Sequence, residues 1–144
     1  MEDSGIPALV ALGGDPIAGS SASTEVYGNL DYPSLNNAGQ IAFHADIVSN
    51  NPTEFLSGIW VRSASGTRLV KRSGDASPGL PSDVNFASVA GPVLNDGCEV
   101  AFWSALGGNV TAGMNDQAIW LDGPAGLRLV ARTGAQAPRY IKRR

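Results

Sequence analysis

The sequence predicts an all-β fold of tandem four-stranded antiparallel meander units, each about 60 residues long. Three observations support this prediction. Short motifs recur at a nearly constant spacing, apolar residues alternate with a period of two, and turn-forming residues separate the apolar runs. The 144 residues include 18 Gly and 9 Pro, a content that favours short strands and many turns over long helices.

The internal repeat is visible in one long motif and several short ones. The stretch LNNAGQIAFHADI at 35–47 returns as LNDGCEVAFWSAL at 94–106. Other matches recur at the same interval or one residue longer: Leu9-Val10 with Leu69-Val70 and Leu129-Val130, Gly14 with Gly74 and Gly134, Asp15 with Asp75, and Ile59-Trp60 with Ile119-Trp120. The spacing changes by one residue only between motifs, so we expect loops to absorb the change in length.

Each unit is predicted to contain four strands in sequence. The predicted strands are 27–35, 41–47, 58–62 and 67–72 in the first unit, and 86–94, 100–106, 118–122 and 127–132 in the second. Pro33 and Pro92, near the end of each first strand, indicate an irregular or edge position there. The last two strands of each unit are joined by SASG or GPAG, which is typical of a hairpin turn.

The turn before each second strand reads NNAG or NDGC. Asn36 and Asn95 are suited to begin such a turn because the Asn side chain can bond its own backbone. We expect Gly39 or Gly97 to supply the positive φ that the turn requires.

These elements divide the chain into four parts. Residues 1–26 are predicted to be the stub of a preceding unit, with one strand at about 8–13, followed by a linker. Residues 27–85 form the first repeat unit and 86–138 the second. Residues 139–144 form a basic tail.

The second strands predict sheets that are covered on both sides. Small Ala42 and Ala101 lie beside bulky Phe43 and Phe102, which suits sheets stacked about 10 Å apart. Four antiparallel strands per unit are typical of a β-propeller blade, and a solenoid-like stack of small sheets is the alternative. Two blades and a stub make an incomplete propeller with open faces, so we expect self-association or further units in a longer chain.

The repeated residues resemble the choice-of-anchor tandem repeat (NxxGxxAF) proteins. The residues that carry the resemblance are Asn36-x-x-Gly39-x-x-Ala42-Phe43, then Gly58-Ile59-Trp60, then Leu69-Val70-x-Arg72-x-Gly74-Asp75-x-x-Pro78-Gly79. The second copy departs from the pattern, with Cys98 where the motif has Gly, and the third copy leaves the pattern after 137–138. The resemblance implies several tandem units and a bacterial extracellular or cell-surface setting, and it implies no activity.

Composition and motifs argue against several classes of function. A net charge of −3 and a pI near 4.9 argue against a nucleic-acid partner or an anionic membrane surface. No signal-peptide pattern, anchor or long apolar run is visible, so direct membrane insertion is not expected. One His and one Cys argue against a zinc site, and the phosphate-binding and nucleophile motifs are absent. We therefore predict no catalytic, cofactor-binding or metal-binding residue.

Several side chains have two possible interpretations. His44 takes the place of Trp103, which favours a residue that fills space or hydrogen-bonds between units over an acid–base residue. Asp15 and Asp75 favour Asx-type turns over cation loops, because each segment has one carboxylate. Cys98 is interpreted as an incidental thiol.

The recurring Trp60 and Trp120 favour a core role over ligand stacking. We assign structural roles to the repeated motif residues: Asn36, Gly39, Ala42, Phe43, Trp60, Gly74, Asp75, Asn95, Gly97, Ala101, Phe102 and Trp120.

The predicted function is a non-enzymatic β-repeat module with a structural or binding role. Loops 49–57 and 107–117 differ completely between the units, so they are the expected place for a surface ligand or partner. The alternative is a fragment of a carbohydrate-active hydrolase or lyase that uses carboxylates such as Asp46 and Glu99.

Overall fold

A computed structural model describes residues 7–22 and 24–137. In this part of the chain all regular structure is β. The eight strands are β1 Val26–Leu35, β2 Ile41–Val48, β3 Leu56–Ser63, β4 Gly66–Arg72, β5 Val84–Leu94, β6 Val100–Gly108, β7 Gln117–Gly123 and β8 Gly126–Arg132. The predicted basic tail at 139–144 lies outside the described residues.

The strands form two four-stranded antiparallel sheets. Sheet 1 has the order β1-β2-β3-β4 and sheet 2 the order β5-β6-β7-β8, so each strand pairs with its neighbours in sequence. The prediction of an all-β chain with two such meanders is confirmed. The pairing of β1 with β2 and of β5 with β6 shifts register near the C-terminal ends of β1 and β5, where Pro33 and Pro92 interrupt the ladder.

The strand predicted at about 8–13 is wrong. Residues 7–12 form no strand, and a turn occupies residues 13 and 14. A strand needs a hydrogen-bonded neighbour. The counterpart of this segment in the first unit, β4, has β3 as its neighbour, whereas residues 7–12 pair with no strand in the described chain. After residue 12 the segment has the same hydrogen bonding as its counterpart in the first unit. Gly14 N–H donates to Tyr27 at 2.7 Å, just as Gly74 N–H donates to Phe86 at 2.7 Å.

Each sheet has two chemically distinct faces. The front face carries the large aromatic residues, with Phe43 opposite Trp60 in sheet 1 and Phe102 opposite Trp120 in sheet 2. The back face carries the alternate positions, with His44 opposite Ile59 and Trp103 opposite Ile119. The back face of sheet 1 stacks on the front face of sheet 2 and forms the larger core. That core joins Ala42, Ile59, Val61 and Val70 to Phe86, Val100, Phe102 and Trp120.

The front face of sheet 1 is covered in part by the N-terminal segment. Ile17 packs with Tyr27, Phe43 and Trp60 in a second, smaller core. The Trp60 indole N–H donates to the Ala18 carbonyl at 2.9 Å. Sheet 1 is therefore covered by the second unit on its back and, in part, by the preceding segment on its front.

The two core Trp side chains occupy different positions. Trp60 lies over Gly58, where a Cβ would come within 2.5 Å of the indole. The second unit has Ala118 at the position of Gly58, and there the Trp120 N–H donates to the Ser104 hydroxyl at 2.9 Å. A core role for both Trp residues agrees with their full burial.

The turns before β2 and β6 correct one sequence prediction. Gly39 has φ 77° as expected, but in the second unit the positive φ of 60° belongs to Cys98, with Gly97 outside that region. Both turns place the same position in the left-handed region, 3 residues after the Asn, because the Asn36 and Asn95 carbonyls accept the N–H of Gly39 and Cys98 at 3.2 and 3.1 Å. The position within the turn, which is the same in both units, therefore decides which residue has positive φ, even where Gly occupies the neighbouring position.

We expect Cys98→Gly to raise the free energy of unfolding by about 1 kcal/mol, because a side chain with a Cβ is disfavoured at positive φ. Gly39→Ala should lower it by a similar amount, since the added Cβ would meet no atom within 4 Å and only the backbone cost remains. Urea unfolding measures both. A Cys98→Gly variant that is less stable than the natural chain would contradict this account of the turn.

An ion pair holds the N-terminal segment to the end of sheet 1. Arg72 donates to both carboxylate oxygens of Glu25, at 2.6 and 2.8 Å, and both side chains are mostly buried. Ser20 also hydrogen-bonds this carboxylate. The bond from Arg72 lowers the pKa of Glu25 below its usual value of 4.5.

A carboxyl whose pKa is lowered by folding contributes stability above its unfolded pKa and loses that contribution as the pH falls through the folded value. We therefore expect Glu25→Gln to cost about 1–3 kcal/mol of unfolding free energy at pH 7. The difference from the natural chain should shrink below pH 4.5. Urea unfolding from pH 7 to pH 3 tests this, with the exposed Glu54→Gln as the control. An undiminished difference at pH 3 would contradict the ion-pair account.

Candidate functional site

A cleft of about 460 Å³ lies where the two units meet. Its walls are the end of β2, the loop between β2 and β3, the start of β3 and the middle of β5. The predicted variable loop 49–57 therefore borders it, together with Ser88, Val89 and Ala90 of the second unit.

His44 lies at the base of this cleft on the back face of β2. It is 7% exposed, and its Nδ1 atom contacts the carboxylate of Asp31, the residue opposite it on β1. Buried imidazoles need hydrogen-bonding partners, and Asp31 supplies one. The residue thus lies between the units, in the location predicted for it.

Tyr32, next to Asp31, adopts an unusual backbone conformation. Its φ is 50°, whereas the corresponding residue of the second unit is Gly91, with φ 63°. The Tyr32 ring is 60% exposed and meets the His44 ring edge-on at 6.1 Å between centroids. Sheet 1 therefore retains an exposed aromatic side chain at a position where Gly is less strained.

Further polar and aromatic groups line the cleft or bond the side chains that line it. Asn29 donates to the Asp46 carboxylate at 3.1 Å, and the Ser49 hydroxyl donates to Glu54 at 3.1 Å. Phe55, beside Glu54, is 93% exposed. The lining includes Asp46 and Glu54 and no Lys or Arg, so its fixed charge is negative.

The second variable loop, 107–117, is held by hydrogen bonds within the loop. Asp116 accepts the N–H of Gly113 at 3.0 Å through one oxygen, while its other oxygen is buried without a partner in the described chain. Met114 at the loop tip is 65% exposed.

The predicted motif residues lie in the frame of the units. The Asn36 amide oxygen accepts the N–H of Ala38 and Gln40 at 3.0 and 2.9 Å, and its nitrogen donates to the Asn95 carbonyl at 3.0 Å. Asn36 therefore closes its own turn and also joins the equivalent turn of the next unit. Asp75 accepts the Arg72 N–H at 3.1 Å, so it caps a backbone amide as predicted, but this amide lies three residues before it and not after it as in an Asx turn.

A neighbouring bond strengthens this junction. The Asn37 backbone and side-chain N–H groups donate to the two carboxylate oxygens of Asp96, at 2.9 and 2.8 Å. Both hydrogen bonds lower the pKa of Asp96, and the bond from the Asn37 backbone N–H has the larger effect.

Asp46 and Glu99, the acids considered for catalysis, do not lie together in one site. Asp46 borders the cleft, whereas Glu99 lies in the turn before β6, hydrogen-bonded to Asn95. Glu54, on the loop, is the acid that shares the cleft with Asp46. Across residues 7–22 and 24–137, no group of three His, Cys, Asp or Glu side chains is close enough to hold a metal ion.

Sequence reasoning named His44 and Asp46 but did not single out Tyr32 or Phe55. The signal that could have found the cleft is the difference between copies. Framework positions repeat, while Asp31, Tyr32 and Asp46 of unit 1 become Ala90, Gly91 and Ala105 in unit 2.

Comparison with known proteins identifies the chain at the level of family. A sequence model of a family of unknown function (DUF7453) matches residues 1–140, so the chain belongs to that family. Comparisons with curated proteins and with solved structures gave no match. Within the described ranges there is no helix long and apolar enough to cross a membrane.

Proposed function

We propose that this member of the DUF7453 family is a non-enzymatic repeat module that stacks face to face on further units of the same kind and presents binding clefts at their junctions. The extracellular or cell-surface setting is part of the proposal and rests on the sequence resemblance alone. Repetition of the stacking in a closed ring would give a propeller, and repetition in an open row would give a solenoid.

One comparison carries the proposal, because it uses identical residue types at equivalent positions. Ile59 on the back of sheet 1 is fully buried, whereas Ile119 on the back of sheet 2 is 39% exposed. Val70 is 9% exposed, whereas Val130 is 54% exposed. The back face of sheet 2 thus has the side chains of an inter-unit surface without a neighbouring sheet in the described chain.

The opposite end of the stack supports the same proposal. Leu94 on the front of sheet 2 is 7% exposed, but the equivalent Leu35 on sheet 1 is 68% exposed. An apolar hollow of about 220 Å³ lies on that front face, bordered by Val10, Ile41 and Phe43. One end of the stack therefore offers a back face and the other end a partly open front face, which is the arrangement required for head-to-tail association.

Burial of an exposed Ile or Val side chain contributes about 1–2 kcal/mol when the neighbouring surface fits. Several such side chains on one face provide a driving force for stacking. Isolated exposed apolar residues need no partner, but Val93, Ile119 and Val130 share one sheet face.

We expect the purified chain to self-associate and Ile119→Lys to shift it toward the monomer, measured by light scattering over a range of concentrations. Lys at this exposed position should change the unfolding free energy of the monomer by less than about 0.5 kcal/mol. Met114→Lys, at an exposed loop residue, is the matched control and should leave association unchanged. Ile59→Lys should prevent folding, because it buries a charge.

A natural chain that is monomeric at all concentrations would contradict stacking between copies. Equal effects of Ile119→Lys and Met114→Lys would contradict the assignment of the back face as the surface responsible.

The carbohydrate-active enzyme remains a second candidate because Asp46 and Glu54 border one cleft. Release of new reducing ends from an oligosaccharide, abolished by Asp46→Ala and by Glu54→Ala, would support that function over the module. Unchanged oligosaccharides after prolonged incubation would count against it.

A further inference from the structure

We propose that the cleft between the two units is a binding site for a neutral saccharide. The inference rests on the binding role included in the proposed function, and it adds the chemical class of the ligand and the residues that contact it. The cleft is defined by His44, Asp46, Ser49, Glu54 and Phe55 of unit 1, with Ser88 of unit 2.

The four-stranded sheet does not need these side chains. Unit 2 builds the same four-stranded sheet with Ala90 in place of Asp31, Trp103 in place of His44, and Ala105 in place of Asp46. The differences between the copies thus gather on one part of one sheet. His44 and Asp46 line the cleft of about 460 Å³ and Asp31 contacts His44, so a ligand explains a polar cluster that the sheet itself does not require.

The backbone of Tyr32 gives independent support. Its φ of 50° is retained although Gly91 shows that Gly suits the position. The exposed Tyr32 ring lies against His44, which lines the cleft, so the strained backbone keeps an aromatic ring in contact with a cleft residue. Phe55 provides a second exposed aromatic ring on the loop that borders the cleft.

The chemistry of the lining selects the ligand class. The carboxylates of Asp46 and Glu54 accept hydrogen bonds, while the His44 ring, the Asn51 amide and the Ser88 hydroxyl can donate them. A sugar hydroxyl both donates and accepts, so it can satisfy both kinds of group. Exposed aromatic rings bind the apolar C–H face of a pyranose ring, as they bind other flat ligands with a polar rim.

Other ligand classes fit less well. Phosphates, sulfated glycans and uronic acids would be repelled, since the lining has two acids and no Lys or Arg. A Lys or Arg side chain would bond the carboxylates but leave the donors of the cleft unpaired. A metal ion lacks a set of three suitable ligands in the described residues.

The test is titration calorimetry of the natural chain with a panel of neutral hexasaccharides: the β-1,4-glucan, β-1,3-glucan, β-1,4-xylan, β-1,4-mannan and N-acetylglucosamine hexamers. We expect at least one to bind, and we expect Phe55→Ala to weaken that binding at least 10-fold. The matched control is Met114→Ala, which removes another exposed apolar side chain from the corresponding loop of unit 2 and should bind as the natural chain does. Circular dichroism confirms that both variants are folded.

A graft tests the cleft itself. Replacement of Asp31, His44 and Asp46 by the residues of unit 2, as Asp31→Ala, His44→Trp and Asp46→Ala, should abolish binding in a folded chain. Asp46→Asn alone should weaken binding and keep the shape of the cleft, so it keeps the test valid if the triple variant fails to fold.

Two results would overturn the inference: no hexasaccharide binds, or Phe55→Ala and Met114→Ala bind equally well. Tighter binding of hexalysine than of every saccharide, with an affinity that falls steeply with salt, would assign the cleft to a basic peptide instead. Self-association of the natural chain is measured separately, so loss of saccharide binding with intact association contradicts this inference and leaves the stacking proposal standing.

Discussion

Sheet 1 is apolar on both faces, and this single constraint governs the rest of the structure. Trp60 on its front and Ile59 on its back are adjacent in sequence, and both are fully buried. A four-stranded sheet cannot cover two apolar faces by itself, so it requires a layer on each side. The second unit provides one layer and the N-terminal segment provides the other.

Polar groups at the junction set the register between the layers. The buried Ser57 hydroxyl donates to the Val89 carbonyl at 3.2 Å and accepts the Val89 N–H at 3.0 Å. Asn36 joins the Asn95 carbonyl at the turn, one repeat interval away. Apolar stacking is non-directional, so these directional bonds between successive units determine how one sheet lies on the next.

The same constraint explains why one cleft has distinct chemistry. His44 and Asp46 face the next unit, so together with the β5 strand of sheet 2 they form walls of a cleft. Their equivalents on sheet 2, Trp103 and Ala105, face outward. At a junction between units, the back-face side chains of one sheet therefore line a cleft. Each further junction would form another cleft, lined by different side chains.

The sequence predicted the sheets well because strand alternation and turn residues are local signals. The four predicted strands of each unit correspond to β1–β4 and β5–β8, with ends that differ by one or two residues. Local signals failed where a non-local partner decides the outcome. Residues 8–13 have the apolar residues of a strand without a neighbour. The turn at Cys98 was predicted wrongly for a different reason: its place in the turn, three residues after Asn95, requires positive φ although Gly97 is adjacent.

The site was less accessible from sequence than the fold. His44 could be placed between the units because Trp103 replaces it, but its contact with Asp31 depends on the pairing of β1 with β2. Likewise, loop 49–57 could be identified as variable, whereas the strand of the second unit that faces it follows from how the sheets stack.

The two units fold as one body because each covers a face of the other. Fluorine NMR of the chain labelled with 5-fluorotryptophan resolves its three Trp residues and follows each unit through a urea titration. The account predicts that the native signals of Trp60 and Trp120 disappear at the same urea concentration. A native Trp60 signal that persists after that of Trp120 is lost, or the reverse, would show that the units are stable independently and would contradict the account.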